Sequence, residues 1–381
     1  MAKKGSQVGS NKESERVIPF DQEKEKFIGM IGDVLSNKEF SSPEEANKFL
    51  NEAFMGRSMT DSLAEWDTRP STPLDEAREV LNGMPDDATS TTERRYAKKS
   101  LEISKDCMEA WETLAWSYQS PGKIESNLLE GLAQGRKFHA ELIAEVGEDH
   151  GLWGYHEARP FMRLMHSLAM FYQEEGLVEK VVEVYEEMIT LNPGDNQGIR
   201  GVLLHRYLCL HRLKEAEELI AQFPDDIDLG IVYGRVLFEL IKVVDTGCDF
   251  EGLAKKSRIS PADFGSHFAK AKTQMKEALK INPYVPLLMN HPTSLYVESP
   301  ASYQFASPDQ ALIFINDHGV DWLSSTIGYF FLGAFQNQSK VLINKVSRQM
   351  RESYKDLVSY LDGIDQPPWQ SVVLEQMDEL R

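Results

Sequence analysis

The chain has little cysteine. Cys107, Cys209 and Cys248 are an odd number at long spacings, without a CxxC pair, and none is read as paired with a nearby histidine at zinc-ligand spacing. This excludes a disulfide framework and a zinc ribbon and points to a reducing, cytoplasmic setting. Catalytic signatures are missing too: there is no GxSxG elbow, no GxxxxGK phosphate loop, no HExxH and no dinucleotide fingerprint after a strand. The expectation is a protein that is not an enzyme and carries no cofactor and no metal. Basic charge is scarce, with 41 Lys and Arg against 60 Asp and Glu, so phosphate backbones and anionic membranes are repelled and no nucleic-acid partner is expected. Long apolar runs are absent as well. The longest, Trp322 to Phe335, is interrupted by serine, threonine and glycine and falls short of the roughly 20 residues a spanning helix needs. It reads as one buried helix, with no membrane insertion. The opening MAKKGSQVGSNKESER lacks an apolar signal core and reads as a solvated tail.

What is present is a hydrophobic share of 41%, enough for a core, arranged with helical periodicity. The stretch Phe161 to Gly198 organises the rest. Leu168, Ala169 and Tyr172, then Val181, Tyr185, Met188 and Pro193, fall at the tetratricopeptide spacing of a two-helix hairpin. Gly176 sits in its turn, and Asn192 and Pro193 end the second helix, because proline lacks an N–H and restricts the residue before it. The unit is Met162 to Asp195. A single hairpin leaves both faces uncovered, so neighbours must stack on it.

Those neighbours can be traced in weaker form. Trp111, Leu114, Ala115 and Tyr118 occupy the first-helix positions of an earlier repeat, followed by a long partner helix from Ser126 to Val146 and an insertion from Gly147 to Pro160. A third repeat runs from Asn196 to Asp226. A fourth begins at Ile227, is interrupted from Asp245 to His267, and closes at Pro283. Ser42-Pro43 and Thr72-Pro73 are helix starts, in which a hydroxyl caps and proline fits the first turn. Four prolines after Pro283, namely Pro286, Pro292, Pro300 and Pro308, argue for an extended cap, Ser307-Pro308 starts a helix through Ile315, and Leu342, Val346, Met350, Tyr354, Leu357 and Leu361 form the stripe of one last long helix, which packs on the body or on a partner. The expected fold is all-α: an irregular tetratricopeptide-repeat helical solenoid with N-terminal helices and a C-terminal helical cap. Its parts are a disordered tail (1–20), an N-terminal helical segment (21–92), the repeat array (93–290), and a Pro-rich cap with C-terminal helices (291–381).

Four motifs go beyond generic repeats: GLWGYHEARPFMR from Gly151 to Arg163, LNPGDNQGIR from Leu191 to Arg200, FPDD from Phe223 to Asp226, and INPYVP from Ile281 to Pro286. Across residues 95 to 310 they resemble the bacterial relatives of the suppressor of tumorigenicity family. The resemblance implies a helical repeat protein with no established chemical activity. The segment Asp245 to His267 departs from that family's compact fourth repeat.

In a tetratricopeptide stack, positions 2, 5, 9 and 12 of each first helix face the concave groove. Here those positions are Arg163, His166, Met170 and Gln173, then Gln197 and Arg200, and in the earlier repeat Glu109, Glu112, Trp116 and Gln119. Arg163, His166, Gln197 and Arg200 would form a recognition wall for a protein or peptide segment, either acidic or ending in its C-terminal carboxylate, because guanidinium forks match carboxylates. The competing reading pairs the arginines internally with Glu109, Glu112 or Glu157. Trp153, His156, Glu157 and Arg159, with Asn192 and Pro193, are read as a structural motif that holds the insertion. Asp149, His150, His156 and Glu157 offer an alternative, a metal or enzyme site at the 149–163 insertion, although their spacing matches no familiar ligand set. His205 and His211, six apart, fall on different helix faces and are read as ordinary surface or groove residues, and Cys107 and Cys209 as small core residues.

Overall fold

A computed structural model describes residues 22–36, 38–58, 61–62, 65, 71–146, 151–246, 265–291, 293–300 and 302–363. Among the described residues there are seventeen α-helices and no strand. The expectations for the tail 1–20, for Asp149 and His150, for most of the 245–267 segment including Cys248, and for the last residues lie outside the described residues.

Helices start where local chemistry supplies a cap. Ser42 accepts from the Glu45 N–H at the head of Pro43–Phe54 (α2), which follows Gln22–Ser36 (α1). Thr72 and Asp75 form a reciprocal capping box at the head of Pro73–Asn82 (α3). Thr89 caps Ser90–Ile103 (α4), so this helix starts three residues before the expected array boundary at 93. Next come Met108–Trp116 (α5), Pro121–Phe138 (α6), Ala140–Glu145 (α7) and Arg159–Glu174 (α8). The single long helix expected from Ser126 to Val146 is two, broken at His139, whose backbone leaves helical geometry.

The described residues divide into two compact units, the first lying within 1–176 and 190–194 and the second within 177–189 and 195–381. In the first, α3, α4, α5, α6 and α8 pack as a series in which each helix lies on the next, and α8 also reaches α5. Close approach depends on two glycines of α6. A Cβ on Gly131 would lie 2.6 Å from Trp111 Cβ and 2.8 Å from Leu164 Cδ2, and one on Gly135 would collide with Phe161. These glycines let α6 sit against α5 and α8 at once, over a core of Trp111, Leu128, Leu132, Phe161, Met162 and Leu164.

In the second unit, Val178–Leu191 (α9) supplies its first segment, followed by Arg200–Cys209 (α10), Leu213–Gln222 (α11), Leu229–Asp245 (α12) and Gly265–Ile281 (α13). The Pro-rich stretch is only partly extended: it holds Val285–Met289 (α14) and a short 3-10 turn at Ser294–Tyr296. Asn282, fully buried, explains the Asn-Pro motif there. Its side chain accepts from the Tyr284 N–H at 3.0 Å and donates to the Ser307 carbonyl at 3.0 Å, and its own carbonyl accepts from the Tyr233 hydroxyl at 2.7 Å.

Pro308–Ser324 (α15) runs past the expected Ile315, and Thr326–Ile343 (α16) starts anew at Ser325, which caps it. The run Trp322–Phe335 is therefore two helices meeting at a serine. The expected single C-terminal helix is also two, because Ser347 caps a separate Arg348–Asp362 (α17).

Candidate functional site

The expected recognition residues fall in both units: Arg163, His166 and Gln173 in the first, Gln197 and Arg200 in the second. Within the first unit burial on α8 and α5 follows helical periodicity. Between Pro160 and Gln173 every residue of α8 is buried except Arg163, His166 and Met170, which are half-buried, and Gln173, which is exposed. On α5 the half-buried positions are Glu109, Glu112, Thr113 and Trp116, and exposed Gln119 follows. The two stripes belong to neighbouring helices tied together by the Trp116 indole N–H, which donates to Ser167 Oγ at 2.7 Å.

This face carries mixed charge. Arg78 donates to Glu109 at 3.1 Å, while burial holds the Glu112 carboxyl above its ordinary value of 4.5 against a hydrogen bond with Ser167 and the Arg163 charge. Burial also lowers His166 below 6.5. The result is a strip of Trp116 and Met170 flanked by a neutral imidazole and by carboxylates within reach of arginine.

Arg200 has another occupation, and here the recognition wall is corrected. Its guanidinium donates to both carboxylate oxygens of Asp226 and, at 2.9 Å, to Asp195 Oδ2. Asp195, held at positive φ, accepts from the backbone N–H groups of Ile199 and Arg200 and thereby caps α10. Asp226 accepts from the Asp228 N–H, and Asp228 caps α12. Arg200 thus clamps two helix starts together, where Gly201 and Gly230 bring the backbones so close that a Cβ on Gly230 would lie 2.7 Å from Gly201 Cα. Its charge offsets three carboxylates that the positive helix ends also favour. The internal-pairing reading holds for Arg200, with Asp195 and Asp226 as partners instead of the glutamates named from sequence. Gln197 is half-buried near this clamp in sequence.

The residues of the insertion make internal contacts. Gly151 lies against buried Asn192, where a Cβ would come 2.6 Å from the amide oxygen. Arg159 donates to the Trp153 carbonyl at 3.0 Å and stands over its ring. The anchors are Leu152 and Ala158, both fully buried, with Pro160; Trp153, Tyr155 and His156 are half-buried and Glu157 is exposed. Pro193 follows Asn192 at the end of α9, as its missing N–H requires.

Sequence reasoning missed a second cluster, in the second unit. His205, expected at the surface, is fully buried, and its ring stacks on that of His318 at 4.0 Å between centroids. His205 Nδ1 lies 3.3 Å from Asp321 Oδ2, and Asp321 Oδ1 accepts from the Cys209 thiol at 3.1 Å. Cys209 is exposed, not a core residue, whereas Cys107 is fully buried. His211 is indeed at the surface, paired with Asp245 at 3.1 Å. The signal available in sequence was local: His205 and Cys209 stand one helical turn apart, as do His318 and Asp321. No protein-family model, curated protein or solved structure matches this chain.

Proposed function

We propose that the protein is a non-enzymatic, cytoplasmic interaction module of tetratricopeptide type, akin to the bacterial relatives of the suppressor of tumorigenicity family, which holds a segment of a partner protein on the face made by α5 and α8. The observation that supports this reading is the agreement between the repeat frame and the burial pattern on two packed helices. The groove positions of the repeat frame, Glu109, Glu112, Trp116 and Gln119 with Arg163, His166, Met170 and Gln173, are also positions that these two packed helices leave half-buried or, at Gln119 and Gln173, exposed. A repeat stack binds by presenting such side chains from successive helices.

The partner segment fitting this strip carries an apolar side chain over Trp116 and Met170 and an acidic group toward Arg163, the guanidinium being the matching donor. Glu109 and Glu112 beside it disfavour nucleic acid. Among the described residues no helix is long and apolar enough to cross a membrane. The test is site-specific photocrosslinking in the native host, with the crosslinker at exposed Gln173 or, as a control, at exposed Lys137 of α6. The reading expects one protein to be captured from position 173 and not from 137. Equal capture from both positions, or none from either, contradicts it.

A further inference from the structure

We infer that His205, His318, Asp321 and Cys209 form a binding site for one divalent transition-metal ion of the zinc class, joining α10 to α15.

The inference starts from the tautomer of His205. Its Nε2 lies 3.2 Å from the Gly230 carbonyl oxygen, which can only accept, so Nε2 carries the hydrogen. In the neutral ring the lone pair is then on Nδ1, and Nδ1 faces Asp321 Oδ2 at 3.3 Å. Two acceptors at that distance repel unless a cation stands between them. His205 Nδ1 and Asp321 Oδ2 are within pairing distance of one another, so the gap between them can be filled by a shared proton or, in its place, by a metal ion. His318 repeats the pattern from the other helix: it is buried, and its Nδ1 lacks a hydrogen-bond partner. Orphaned buried nitrogens of this kind are rare and call for an ion, a proton or a water.

The geometry favours the ion. One donor atom from each of His205, His318 and Asp321 can be chosen so that all lie within 4.8 Å of one another. Ligands at about 2.1 Å from a tetrahedral zinc are about 3.4 Å apart, so closing the set requires rotations that unstack the His205 and His318 rings and turn their in-plane lone pairs toward one point. Cys209 stands outside that set of three, its sulfur 3.1 Å from Asp321 Oδ1 at the exposed edge, and reaches the fourth position by a side-chain rotation. Two imidazoles, a carboxylate and a thiolate suit zinc, whereas calcium and magnesium require oxygen donors. Charge balances as well, because Asp321 and a Cys209 thiolate offset the two positive charges of the ion. Arg206 Nη2, 3.6 Å from Asp321 Oδ2, orients the carboxylate from outside.

Electrostatics agree with that reading. Burial, together with the neighbouring His205 and Arg206, holds His318 well below its ordinary 6.5, so the ring is available as a neutral ligand. Burial and the Asp321 charge push the Cys209 thiol up to about 12, so without a metal it remains protonated and binding must release that proton to solvent.

The experiment uses the full-length protein, stripped with chelator and titrated with Co2+ alone, followed by competition with Zn2+. The inference expects one equivalent bound more tightly than about 1 µM, with tetrahedral d–d bands and thiolate-to-cobalt charge transfer. Cys209→Ser, at an exposed position, should keep the fold and lose the charge-transfer bands. His318→Ala and Asp321→Asn should weaken binding at least about tenfold, the scale that even indirect supports of a site command. Zn2+ should raise the melting temperature of the wild type and not of His318→Ala. If His318→Ala does not fold, the wild-type titration and the Cys209→Ser spectrum decide. A folded wild type that takes up less than half an equivalent overturns the inference, as does one whose cobalt spectrum is unchanged in Cys209→Ser.

Discussion

Replacing Arg200 by alanine removes the charge that joins two helix starts, and the cost can be worked from its partners. Breaking a buried ion pair costs about 3–5 kcal/mol, because the remaining charge is left without compensation. Here the Arg200 side chain is 20% exposed, and those of Asp195 and Asp226 are 1% and 7% exposed. Both carboxylates retain backbone donors, Asp195 from Ile199 and Arg200 and Asp226 from Asp228, so neither is stripped of every partner. Water entering where the guanidinium stood relieves part of the rest. The expected loss is therefore about 2–3 kcal/mol, below the full figure for a buried pair. Arg200→Lys should recover less than half of it, since one ammonium cannot serve Asp195 and both oxygens of Asp226. Urea unfolding measures the loss by linear extrapolation, and hydrogen exchange should place it in residues 200–245. A change under about 0.5 kcal/mol, the range of an ordinary surface substitution, would refute the clamp.

Four further outcomes follow from the same geometry. Gly230→Ala brings a Cβ within 2.7 Å of Gly201 Cα and 2.9 Å of Asp228 Oδ1, so despite alanine's better helix propensity it should destabilise by about 1–3 kcal/mol, read from urea melts. Gly131→Ala should also destabilise, whereas Gly122→Ala in the same helix, with open space around its Cβ, should leave the melting temperature equal or higher; the opposite order would refute the packing of α6. Asp226 has its carboxyl held below its ordinary 3.8: burial opposes this, but the Arg200 hydrogen bonds and charge outweigh it. Because the folded value is the lower one, the clamp's stabilisation is fully present above the unfolded value and is lost as pH falls from there through the folded value, so acid unfolding curves of wild type and Arg200→Ala should converge below about pH 3.8. Burial, followed by the Glu109 charge, pushes the Cys107 thiol up to about 12, and iodoacetamide at pH 8 should label it only after denaturation.

Helix starts were legible where a cap and the residues it serves are neighbours in sequence, as at Ser42, Thr72 and Ser307. The breaks at His139 and Ser347 were not, because the apolar spacing on either side continues in phase across them and periodicity records phase, not continuity. The buried Leu152 was not among the residues singled out in the insertion, because nothing in the local residue pattern distinguishes it from its apolar neighbour Trp153. The role of Arg200 depends on Asp226, 26 residues further on, and on the positive φ of Asp195, neither of which the repeat frame encodes. The His205 cluster was missed because the histidine was compared with His211 on its own segment, while its partner Asp321 lies 112 positions beyond Cys209. On α8 the same frame matched the burial pattern at all four positions, since amphipathic periodicity is a property of one helix and its core.

The measurement that bears most directly on the central claim is the affinity of the crosslinked partner segment, made as a peptide, for the wild type and for Met170→Glu/Gln173→Glu. Both substitutions lie on the solvent side of α8, so the melting temperature should be unchanged within about a degree, as for surface changes away from the core. If the α5–α8 face holds the partner, the double substitution weakens binding at least about tenfold, or about 1.4 kcal/mol. Unchanged affinity in the well-folded variant would contradict the account.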